Sequence, residues 1–143
     1  MGDDTIQLLR ECNAGIKMGV SSLDEVLEHV KDVKLKELLV QNKESHSQLG
    51  DETHEYLEEY HELGKEPAPM AKVMSWVKTN VKLGTEDSDR VVADLITDGC
   101  NMGVKSLYRY LHQYAAAENK VKKLVERLIG VEEQLVRDLR VYL

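Results

Sequence analysis

The chain has 143 residues, 31% of them charged, with no Phe, two Pro, and 19 Lys and Arg against 26 Asp and Glu for a formal charge of -7. That length supplies one core without obligatory disulfides or metal, the composition suits helices with a Leu, Val and Ile core, and the acidic surplus excludes a phosphate-binding surface, so no nucleic-acid partner is expected. No apolar run reaches the length of a membrane span, and the start Met1-Gly2-Asp3-Asp4 lacks a basic leader; the expectation is a cytoplasmic protein with no membrane partner.

The first predicted helix runs from Thr5 to about Val30, with Ile6, Leu9, Ile16, Val20, Leu23, Leu27 and Val30 on one stripe at three-and-four spacing. Asp32 is placed to cap the second, whose stripe passes through Leu35, Leu38, Leu39, Asn42, Leu49, Tyr56, Tyr60 and Leu63 and stops at Gly64. Glu66-Pro67-Ala68-Pro69 breaks the pattern, since proline removes donors and biases the residue before it away from helical angles. A short amphipathic helix containing Trp76 is predicted over Met70 to Leu83. Thr85 then caps a third long helix through Val92, Leu95, Ile96, Leu107, Leu111 and Tyr114, and Asn119 caps a fourth through Val121, Leu124, Leu128, Leu135, Leu139 and Tyr142.

Cys12-Asn13-Ala14-Gly15-Ile16-Lys17 recurs as Cys100-Asn101-Met102-Gly103-Val104-Lys105, so the chain reads as a duplicated helical pair. One domain over 1–143 is expected: a hairpin at 5–63, a crossover at 64–84 and a second hairpin at 85–143. The crossover is long enough to climb the whole bundle, as the ferritin-like version of an all-α four-helix bundle requires. Gly15 and Gly103 are expected to let the first and third helices approach closely.

These residues resemble the ferritin-like superfamily, and more closely a bacterial branch of small ferritin-like domains of unknown function. The resemblance covers nearly the whole chain and is carried by Asn13-Ala14-Gly15, Lys31-Asp32-Val33-Lys34-Leu35-Lys36, Gly64-Lys65-Glu66-Pro67 before the Trp76 helix, and Asn101-Met102-Gly103. It implies a four-helix bundle with a long crossover holding a short extra helix. In members that handle iron it also implies a Glu on the first and third helices and a Glu-x-x-His on the second and fourth. This chain departs from that pattern. The duplicated polar positions are the amides Asn13 and Asn101, the one Glu-x-x-His string, Glu58-Glu59-Tyr60-His61, lies near the end of the second helix, and the fourth helix has no histidine.

Pairing the helices about their turns sets Asn13 level with Gly50 and Asn101 with Gln134, and puts Asp51, Glu52, His54, Glu132 and Glu133 at that depth as the candidate metal ligands. A gap in the second helix's stripe between Leu39 and Leu49, filled by Asn42, Ser45 and His46, predicts an interior polar patch with Asn13, Asn101 and His46. Such a patch either satisfies itself and fixes helix register, or holds a metal or a shared proton. Asp51 with His54, and Glu58 with His61, stand three apart on one face, where a lone ion could bridge them. Cys12 and Cys100 are either plain buried thiols or a redox pair meeting across the first and third helices. No nucleophile-base set and no phosphate loop is present in the sequence.

The expected function is a non-catalytic helical bundle, a protein-interaction or structural, stress-related module, working as a homodimer or with another protein and needing no cofactor. The alternative is a divergent ferritin-like oxidoreductase or metal-storage protein using iron or manganese.

Overall fold

The computed structural model describes residues 3–60 and 88–143. Four α-helices account for most of them: α1 (Asp3–Leu27), α2 (Val33–Glu59), α3 (Ser88–Gln113) and α4 (Asn119–Leu139), followed by a 3-10 turn at Arg140–Tyr142. No strand occurs among the described residues, and no described helix is long and apolar enough to cross a membrane. The predicted Trp76 helix, the proline break, His61, Gly64 and Thr85 lie outside the described residues.

Local signals start and stop the helices. Asp3 and Asp4 put negative charge at the positive end of α1. Asp32 caps α2 as predicted, its carboxylate accepting from the Leu35 amide at 2.8 Å. α4 begins differently from the prediction: its N-cap is Glu118, not Asn119, and Glu118 makes no side-chain cap. Its start is held from another helix, with the Ala116 amide donating to the Asp4 carboxylate and the Glu118 amide to the Thr5 hydroxyl, both at 3.0 Å. The α1–α2 turn is treated in the same way, the Asp89 carboxylate of α3 accepting from the amides of Lys31 (2.7 Å) and Asp32 (3.0 Å). Each hairpin thus lends a first-turn acid to satisfy the free amides in the turn of the other.

Side-chain contacts set the helix directions. Cys12 meets Thr53, Gly19 meets His46 and Asp24 pairs with Lys43, so α1 and α2 run antiparallel. Glu52 pairs with Arg127 and Glu59 with Lys120, so α2 and α4 run antiparallel as well. The Tyr60 hydroxyl donates to Glu118 at one end of the bundle, and Asp89 holds Lys31 at the other. The end of α2 and the start of α3 therefore lie at opposite ends, about 40 Å apart for a helix of 27 residues. A short-loop up-and-down bundle would put those two points side by side.

The buried side chains form two apolar clusters. One gathers Leu8, Leu9, Cys12, Ile16, Leu49, Leu57, Leu107, Val121, Leu124, Val125, Leu128 and Ile129 from all four helices. The other gathers Leu23, Val26, Leu35, Leu39, Val92, Leu95, Ile96, Cys100, Leu135 and Leu139, again from all four. Between them on each helix falls one residue that is not apolar bulk: Gly19 on α1, His46 on α2, Gly103 on α3 and Glu132 on α4. These four make a waist across the bundle.

Candidate functional site

The waist is a polar pair walled by glycines. His46 and Glu132 occupy matching places, each fourteen residues after its helix's N-cap, Asp32 and Glu118. His46 is 2% exposed and Glu132 9%. The His46 Nδ1 lies 3.0 Å from the Asn42 carbonyl oxygen. A carbonyl only accepts, so Nδ1 carries the hydrogen and donates it. That leaves Nε2 facing the Glu132 Oε1 at 3.9 Å, with no hydrogen-bond partner. One turn earlier, the Asn42 side-chain amide donates to the Val131 carbonyl at 3.3 Å while its own Oδ1 is buried without a partner.

The glycines make the room. A Cβ at Gly103 would sit 2.8 Å from Glu132 Oε1 and 3.0 Å from Oε2, and one at Gly19 would sit 3.0 Å from the His46 Cδ2. The space above Gly103 is taken by a carboxylate, not by the backbone of α1, and around Gly15, which is exposed, a Cβ would meet nothing within 4 Å. The expectation that Gly15 and Gly103 bring two helices together is therefore corrected.

The remaining predicted site residues are spread out. Asn13 is buried at 5% exposure, but Asn101 is exposed, so the second amide does not belong to the interior. Asp51 and His54 are exposed on α2, His54 standing 3.1 Å from Glu58 one turn on. Glu52 is held at the surface by both Arg127 nitrogens at 2.7 and 2.8 Å, and that hydrogen bonding keeps its carboxyl below the usual range. Glu133 is half-buried next to Glu132. Of the five proposed metal ligands only Glu132 faces the waist, and its partner there is His46. Among the described residues no group of three or more His, Cys, Asp or Glu side chains is placed to hold a metal ion.

The two cysteines do not meet. Both are buried free thiols, Cys12 in one apolar cluster and Cys100 in the other. Cys12 lies seven residues before Gly19 and Cys100 three before Gly103 on oppositely directed helices, which separates them along the bundle by roughly 15 Å at 1.5 Å per residue. A disulfide needs Cα atoms within about 7 Å, so the redox pair across α1 and α3 is ruled out in this fold. Burial pushes each thiol up to about 12, with the Glu132 charge adding to it in both and the Thr53 hydroxyl opposing it at Cys12. Thiols so held are protonated and poor nucleophiles.

Asn101 and Cys100 fall where they do because the sequence repeat and the structural repeat are out of step. Asp4 and Asp89, which perform the same task in the two halves, are 85 residues apart, whereas Cys12 and Cys100 are 88 apart. A slip of three residues turns the copied motif by about 60° about its helix. The waist itself was only half legible in advance: the stripe gap at His46 signalled it, but Gly19 carried no recognised pattern. No protein-family model, curated protein or solved structure matches the chain.

Proposed function

We propose that this chain is a small ferritin-like bundle of the bacterial kind that has given up dinuclear metal chemistry and works without catalysis, by association with a second copy of itself or with another protein. The single observation that carries this reading is the make-up of the waist. A dinuclear carboxylate centre draws an acid from each of two helices and a Glu-x-x-His from each of the other two. Here α1 and α3 bring Gly19 and Gly103 to that level, α2 brings His46 with Lys43 three residues before it, and α4 brings Glu132 with Leu135 three residues after it. Half of each pair remains. The placement of the ends of α2 and α3 at opposite ends of the bundle supports the long-crossover topology on which the ferritin-like reading depends.

One observation favours the metal-binding alternative, the buried, unpartnered His46 Nε2 facing a carboxylate. Two protein ligands fall short of the three or four that hold a transition metal firmly. Light scattering combined with an aerobic iron(II) oxidation assay separates the readings. The expected result is a particle of twice the chain mass that oxidises iron(II) no faster than buffer does. A monomer that oxidises iron(II) with turnover, and loses that activity in Glu132→Gln, would overturn it.

A further inference from the structure

The two hairpins meet as two copies of one protein meet across a two-fold axis. In such an interface, when one residue touches a second, their counterparts touch in return. Asp4 accepts from Ala116 and Asp89 accepts from Lys31; Asp89 follows Asp4 by 85 residues, and Ala116 follows Lys31 by the same 85. The waist marks the axis. Equivalent positions of two copies face each other only where the axis passes, and His46 and Glu132, each fourteen residues beyond its N-cap, do so at 3.9 Å.

The pairing still selects its partner. Two first hairpins joined in this way would set His46 against a second His46, and two second hairpins would bring two Glu132 carboxylates together between apolar clusters, where like charges repel. A first hairpin would also offer Gln41 at the place where Arg127 meets Glu52. The inner face of α1–α2 therefore fits an α3–α4 hairpin, and none of these contacts requires that hairpin to belong to the same chain.

We propose that two copies of the chain associate by exchanging their second hairpins, so that α3–α4 of each copy seats on α1–α2 of the other. The proposal rests on the reading in which a second copy is the partner, and names the surface used. An exchanged pair keeps every contact of the closed bundle, so concentration decides between the two forms. The 27 residues between Tyr60 and Ser88 are long enough for either: about 40 Å separates the helix ends they join within one bundle, and a chain of that length reaches up to roughly 90 Å when extended. The outer surface is poorly suited to self-association. The exposed side of α2 carries Glu37, Glu44, Asp51, Glu55 and Glu58, which would repel the same side of another copy, and the exposed Met102 and Tyr108 stand about 120° apart around α3. Large apolar area of matching shape lies instead between the hairpins.

The test uses the full chain carrying Glu52→Cys and Arg127→Cys together, two solvent-reaching sites that face each other across α2 and α4. Cys12 and Cys100 are buried, so a short bis-maleimide added to the folded protein reaches the introduced pair. In the particle of twice the chain mass the links are expected to join two chains, giving a covalent dimer on a denaturing gel. Links within single chains of that particle would overturn the exchange and leave association standing. A particle of one chain mass at every concentration would remove the association reading and the exchange with it. Two single variants give an independent check. Glu52→Cys and Arg127→Cys chains unfolded, mixed and refolded together are expected to link to each other, and no link overturns the proposal. The same two variants folded apart and then mixed are expected not to link, because exchange requires the bundle to open; equally rapid linking without refolding would place the contact between closed bundles and refute the exchange.

Discussion

The Asp89 carboxylate accepts the backbone amide of Lys31 at 2.7 Å, and Asp4 does the same for Ala116 at 3.0 Å. Each contact joins the first turn of one hairpin's opening helix to the turn of the other hairpin, so the two sit at opposite ends of the bundle. Losing a cap of this kind costs about 1 kcal/mol, within a range of about 0.5 to 2. Asp89→Ala and Asp4→Ala are each expected to destabilise by that amount, and their effects should add because no partner is shared. Urea unfolding of both single variants and the double variant checks this; strong non-additivity would show that the ends are coupled through the core.

The glycines of the repeat predict opposite responses. Gly15 is exposed in mid-helix with open space around it, so Gly15→Ala should stabilise by up to about 1 kcal/mol through helix propensity. At Gly103 the same gain is opposed, because the new methyl group must displace the Glu132 carboxylate from 2.8 Å. Gly103→Ala should therefore be the less stable of the two, and its melting temperature should fall below that of Gly15→Ala. A Gly103→Ala variant as stabilised as Gly15→Ala would show that Glu132 does not occupy the waist.

Much of this architecture could be read from the chain. Four stripes of Leu, Val and Ile give four helices because burial of a periodic face is a local property of sequence, and Asp32 marks its cap because capping acts over three residues. The gap at His46 was visible for the same reason. Which residue His46 would face was not visible, since that depends on register between α2 and α4, set by packing of side chains far apart in sequence, such as Leu49 and Leu57 in one buried cluster with Leu124 and Leu128. The copied hexapeptide misled on Asn101 because similarity of sequence does not report a three-residue slip on a helix. Nothing local in the sequence marks Asp89, because its partners, Lys31 and Asp32, lie in a turn of the other hairpin.

The thiols predict a loss of stability in alkali. Each is raised in the folded state from an ordinary value of 9.0 to about 12, so their contribution is complete below pH 9 and is lost as pH rises toward 12, when the unfolded thiols ionise and the folded ones do not. The folding constant should fall by about tenfold per pH unit for each thiol across that window. Cys12→Ala compared with the native chain at pH 8 and 10.5 isolates one thiol's share. An aromatic disulfide reagent should label neither cysteine at the rate of an exposed thiol until the chain is unfolded.

Glu52 should prove marginal to stability despite two good hydrogen bonds. It and Arg127 are solvent-exposed to a large degree, and exposed pairs contribute about 0 to 1 kcal/mol. Glu52→Gln is expected to change stability by less than about 1 kcal/mol and to leave the pH profile above neutrality unaltered. A larger loss, measured by urea unfolding, would assign Glu52 a part in the interior that its position at the surface denies it.

The most direct test of a waist built from one imidazole and one carboxylate between two glycines is elemental analysis of untagged protein from cells grown with ample iron and manganese. Far less than one metal ion per chain is expected, with the same trace amount in Glu132→Gln. Two ions per chain, lost together when Glu132 or His46 is replaced, would contradict it.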